Sequence, residues 1–249
     1  MPSYRRFSAP LRLAAGAALP SRYGRITALV QIFARVSVLA AVFAALQLGF
    51  ALHAGTAAER PVKIVALGDS LTAGFGLSAA EAFPAKLEKA LRAKGLAVEV
   101  ANAGVSGDTA PGGLARLDWS VPPDTDAVIL ELGANDMLQG RDPQRTRQAL
   151  DEIVRRLTER RITVLLAGMK AAPNLGGDYA RDFEPIFPEL AAKYGLLFYP
   201  FFLDGIASDT KLNQRDGLHP TAKGVDAIVA GILPKVEELV ARVRDKRGS

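Results

Sequence analysis

The sequence predicts one three-layer α/β domain built on a five-stranded parallel sheet. Three observations carry this. Short apolar, β-branched runs recur at 62–68, 97–101, 127–132, 162–167 and 196–201. The stretches between them space their apolar residues three and four apart, the period of an amphipathic helix. The chain has 249 residues and is 49% hydrophobic, enough for one full core. Strands that alternate with helices make a parallel sheet covered on both faces.

The first strand reads VKIVALG and runs straight into Asp69-Ser70. A helix over 80–94 puts Phe83, Leu87, Ala90 and Leu91 on one face, and Gly95 ends it. The second strand leads into the glycine-rich NAGVSGDTAPGG and a short helix over 114–119. Trp119, the only tryptophan, is expected to pack. The third strand, AVILEL, precedes a helix over 143–160 that opens with proline and turns Leu150, Ile153, Val154 and Leu157 inward. After the fourth strand come GMKAAPNLGGD and a helix over 179–194, which Pro185 and Pro188 should distort. The fifth strand leads through a long loop to DGLHP. The last helix, 221–244, carries a stripe from Val225 to Val243, with a kink expected at Pro234. Right-handed crossovers leave few topologies, and the flavodoxin-like order 2-1-3-4-5 is the expected one.

The domain is expected to span 59–249. Residues 1–58 hold six arginines and no acidic residue, so the formal charge of +5 belongs to them. Removing those six leaves 25 of 31 basic residues against 26 acidic ones, a net of −1, and no electrostatic case for nucleic-acid binding. The uncharged run 36–52 follows Arg35, and small residues lead to Glu59. This reads as a secretory signal cut after Ala58, with a periplasmic or secreted product. The rival is an uncleaved membrane anchor through 36–52, the only expected membrane contact. A monomer is expected. No cysteine is present, which excludes disulfides, thiol catalysis and cysteine-bound metal centres.

The carboxyl ends of the strands carry the chemistry. Ser70 follows the first strand, Gly104 the second, Asn135 and Asp136 the third, and Asp216 and His219 the last loop. In a parallel sheet these lie at one edge, where ligands bind. Ser70 is either a helix cap or a nucleophile. Asp216 either caps the last helix or fixes the imidazole of His219, the one histidine outside 1–58. Asp69 and Asp136 are expected to brace loop backbone. Substrate walls are expected from Val105, Leu138, Met169, Asn174 and Leu175.

GDSLTAGFGL, NAGVSGDT, GAND and DGLHP, in that order, resemble the four blocks of the SGNH (GDSL) hydrolase family. The likeness spans about 62–234. GLARLDW and YPFFLDGIA are similar to its group of multifunctional periplasmic thioesterases, lysophospholipases and arylesterases. The resemblance implies a flavodoxin-like serine hydrolase of small acyl esters and thioesters, with no metal and no cofactor. It makes Ser70 the nucleophile, His219 the base and Asp216 its partner. The oxyanion hole would be the N–H groups of Ser70 and Gly104 with the Asn135 amide. Ala134 stands where the broad family usually has glycine. A carbohydrate O-deacetylase is the alternative on the same frame, and a non-catalytic binding module is a further one. Apolar loop residues such as Leu138 and Met169 favour acyl chains.

Overall fold

The computed structural model describes residues 60–248. The expected leader, its apolar run 36–52 and the cut after Ala58 lie outside the described residues. Five strands, β1 (Val62–Gly68), β2 (Val98–Gly104), β3 (Ala127–Glu131), β4 (Thr163–Ala167) and β5 (Leu197–Tyr199), form one parallel sheet. Its order, β2-β1-β3-β4-β5, is the expected one. The inner strands β3 and β4 are buried along their whole length, which accounts for their unbroken apolar runs.

Nine α-helices lie among the described residues: α1 (Ser70–Ala73), α2 (Phe83–Ala93), α3 (Ala110–Ala115), α4 (Leu117–Ser120), α5 (Ala134–Leu138), α6 (Pro143–Glu159), α7 (Gly176–Phe183), α8 (Ile186–Tyr194) and α9 (Ala222–Gly248). Helices α2 and α9 pack on each other over one face, and α3, α6 and α8 cluster over the other. The buried residues of α6 include Leu150, Ile153, Val154 and Leu157, the expected inward stripe. No helix among the described residues is long and apolar enough to cross a membrane.

Several elements depart from the sequence expectation for local reasons. The single helix expected over 179–194 is two helices, because Pro185 has no N–H to continue the first. Pro188 falls in the opening turn of α8, where no intrahelical N–H bond is needed. The last helix runs through Pro234 to Gly248, four residues beyond its expected end. Strand β2 extends to Gly104, since Gly68 and Gly104 are in register. Trp119 is 73% exposed on α4 instead of packed. Helices α1 and α5 are too short to have shown a periodic pattern.

Candidate active site

Strand β1 delivers Ser70 through a turn that only glycine permits. A Cβ on Gly68 would sit 2.1 Å from Thr72 Oγ1 and 2.6 Å from Glu131 Oε2. The cap of α1 is Asp69, whose Oδ1 accepts from Leu71 N at 2.9 Å. Ser70 is the first helical residue, so its hydroxyl is not used for capping and its N–H has no intrahelical acceptor.

The long loop after β5 brings His219 to this serine. His219 Nε2 lies 2.9 Å from Ser70 Oγ, and His219 Nδ1 lies 2.7 Å from Asp216 Oδ2. Asp216 Oδ1 also accepts from Leu218 N at 2.9 Å and His219 N at 3.0 Å. The His219 N–H, then the Leu218 N–H, then the imidazole bond hold the Asp216 carboxyl down at about 2. An ionised carboxylate only accepts, so Nδ1 carries the imidazole proton and Nε2 faces Ser70 with its lone pair. Asp216 does not cap α9, since Thr221 Oγ1 accepts from Gly224 N.

Asn135, in α5, stands beside the serine turn. Its Nδ2 donates to Asp69 Oδ2 at 3.1 Å and to Asp108 O at 2.9 Å. Gly104 lies against the serine turn, where a Cβ would come within 2.3 Å of Ala73 N. Its N–H is engaged, donating to Asn102 Oδ1 at 2.9 Å. Directly after Gly104, Val105 to Asp108 form a turn closed by Asp108 N to Val105 O, with Gly107 at φ 85°. No hydrogen bond among the described residues uses the Gly107 N–H. Arg116, buried, ties this region to β1. It donates to Gly68 O and Ala103 O, both at 2.8 Å, and pairs with Asp108 at 2.5 Å.

Two carboxyls lie buried beneath the turn. Burial, above all, raises Asp69 to about 6, against the pull of Leu71 N–H, His219 and Asn135. Glu131, at the end of β3, is pushed well above the usual range by burial and then by the Asp69 charge. Its Oε2 accepts from Thr72 Oγ1 at 2.7 Å. Asp136 is buried too, and its oxygens accept from Ala110 N and Thr146 Oγ1. No three metal-ligating side chains gather anywhere among the described residues.

Ser70, Asn135 and His219 line a cleft of about 320 Å³. Of the expected wall residues, Leu138 and Met169 line it; Val105, Asn174 and Leu175 do not. Phe201, Leu203 and Leu218 add apolar wall, and Lys170 adds one ammonium. Sequence reading passed over Phe75, Arg116, Glu131 and Lys170. A signal existed only for Glu131, an acid inside a buried apolar strand.

Fold and site together define an α/β protein that sets a serine, an imidazole and a carboxylate in series at the carboxyl edge of its sheet. The chain belongs to the GDSL-like lipase/acylhydrolase family, whose sequence profile matches residues 66–227, and it is a hydrolase of ester bonds. An arylesterase of Vibrio mimicus is 36% identical over 177 residues, 71% of this chain and 88% of that protein. Thioesterase 1/protease 1/lysophospholipase L1 of Escherichia coli K12 is 34% identical over 178 residues, 71% of this chain and 84% of that protein. The solved structure of AlinE4, an SGNH-hydrolase family esterase, is 46% identical with a TM-score of 0.62, covering 72% of this chain and 96% of AlinE4.

Proposed function

We propose that the protein cleaves small acyl esters and thioesters through an acyl-serine intermediate, without metal or cofactor. The unbroken series from Ser70 Oγ through the His219 ring to Asp216 carries this reading. His219 Nε2 takes the Ser70 proton as Oγ attacks the acyl carbonyl. Asp216 holds the tautomer and stabilises the imidazolium. His219 then protonates the departing alcohol or thiol, and water releases the acid by the same steps.

The oxyanion is received by the Ser70 N–H and the Asn135 amide. The amide leaves or shares its neutral Asp108 carbonyl acceptor, because a charged acceptor binds more strongly. Gly104 would serve only if its bond to Asn102 opened. Gly107 needs no such change and sits in the turn that Asn135 grips, so it is the main-chain donor we favour. The apolar cleft suits an acyl chain better than a sugar, which weighs against a carbohydrate O-deacetylase. The uncharged run 36–52 supports export to the periplasm or beyond.

The test is hydrolysis of p-nitrophenyl esters from acetyl to palmitoyl, with acyl thioesters alongside, by protein starting at Glu59. Ser70→Ala and His219→Ala should each lower turnover by several orders of magnitude, and an acyl adduct on Ser70 should be trapped by mass spectrometry. A Ser70→Ala variant that keeps its rate ends the proposal.

A further inference from the structure

Lys170 stands out among the groups around the cleft. The lining includes His219 and this one ammonium but no carboxylate, and most of the remaining wall is apolar. Lys170 enters no ion pair among the described residues. Its Nζ stands 5.1 Å from the centroid of the Phe201 ring, itself a wall of the cleft. An ammonium over an exposed ring gains little, so the contact orients the cation without satisfying it.

The backbone that presents Lys170 is fixed. Gly168 is tied to the β5 end by two bonds, its N–H to Tyr199 O at 2.8 Å and its carbonyl from Phe202 N at 2.9 Å. A Cβ on Gly168 would meet Pro200 O at 2.3 Å, so the approach admits only glycine. Met169 is buried. Ala171 N donates to Glu184 Oε1 at 3.1 Å, and Ala172 N donates to Met137 Sδ at 3.4 Å. Glu184 thus takes up the loop backbone. The chain holds a cation at the wall of a greasy slot and supplies no anion to it.

We propose that Lys170 is a specificity-determining residue that selects esters bearing an anionic group, resting on the acyl-serine reading above. A neutral ester leaves the ammonium unpaired. A substrate with a carboxylate or phosphate in its leaving group, or at the far end of its acyl chain, pairs with it. Lys170 is exposed at the cleft wall, so such a contact has the strength of a surface ion pair and gives a preference of about 2–5-fold.

Two matched substrate pairs test this. One is 4-(hexanoyloxy)benzoate against 4-(hexanoyloxy)benzamide, with the charge in the leaving group. The other is the monophenyl ester of adipic acid against its terminal amide, with the charge on the acyl chain. The ratio of kcat/KM, anion over amide, is read within each variant, so a general loss of activity cancels. In the parent at low salt the ratio should exceed unity for at least one pair, and that pair identifies the end that is read. Lys170→Ala should lower that ratio about 2–5-fold, Lys170→Glu should lower it further, and Lys170→Arg should largely retain it. Ratios in both pairs that stay within about twofold across all variants overturn the proposal and leave the serine reading intact. Amide-substrate hydrolysis that survives Ser70→Ala, or a parent that cleaves none of the four esters, removes the serine reading and this proposal with it.

Discussion

The Phe75 ring lies against the His219 imidazole, with centroids 4.5 Å apart and planes tilted by 36°. The backbones of the two loops are joined as well. Gln214 Nε2 donates to Phe75 O at 2.7 Å, and Gln214 N donates to His219 O at 2.7 Å. Phe75 is 49% exposed, so it contributes little to the core and is placed to steady the imidazole. Aromatic pairs of this kind contribute about 0.5–1.5 kcal/mol beyond burial, which corresponds to about 2–10-fold in rate. Phe75→Ala should lower kcat by that factor with KM and thermal midpoint little changed, and Phe75→Tyr should restore it. A loss confined to KM, or a tyrosine variant as impaired as the alanine one, would show that the ring binds substrate instead of positioning the histidine.

The strand order and the residues gathered at the sheet edge were legible because strand periodicity fixes where each strand ends, and a parallel sheet puts all those ends together. What sits one turn further on was not. Asp69 or Ser70 could each have capped α1, and only the backbone shows that Asp69 does. Gly104 and Gly107 look alike in NAGVSGDT; one is pressed against Ala73 with its N–H engaged, the other is open and left-handed. Val105, Asn174 and Leu175 lie on the right loops but outside the cleft lining, since side-chain direction in irregular loops has no period to read. Arg116 carries a charge, which by itself suggests solvent, yet it is buried and bonded to the ends of β1 and β2.

Burial favours the neutral form of Glu131. It is fully buried, its carboxyl is displaced well upward by burial and by Asp69, and Oε1 has no hydrogen-bond partner among the described residues. Oε2 accepts from Thr72 Oγ1 and from Asp69 N at 3.4 Å. A glutamine reproduces that shape and that acceptor. Glu131→Gln should therefore change unfolding free energy at pH 7 by less than about 1 kcal/mol, since no buried partner is orphaned. Glu131→Ala strands the Thr72 hydroxyl and the Asp69 N–H over a cavity and should cost about 2–4 kcal/mol. Urea titration separates the two. Equal damage from both would mean that Glu131 is charged and that the charge matters.

Asp69 sets a pH dependence whose sign follows from its burial. Its carboxyl rises from 3.8 to about 6, so the folded state binds this proton more tightly than the unfolded chain does. The stability it contributes is complete below 3.8 and is lost as pH rises through about 6. The penalty at neutral pH is of order 3 kcal/mol, at about 1.4 kcal/mol per pH unit. Asp69→Asn removes the titration. It also sets a donor against the Asn135 amide, so kcat should fall, and the variant need not be more stable at any one pH. The difference in unfolding free energy, variant minus parent, should nevertheless grow by up to about 3 kcal/mol between about pH 4 and 7. Asp216 has the opposite sign, lowered to about 2, and acts below this window. Urea titrations at intervals across the window decide the matter. A difference that stays flat would mean that Asp69 is ionised throughout, stabilised by Asn135 and His219 more than burial opposes it.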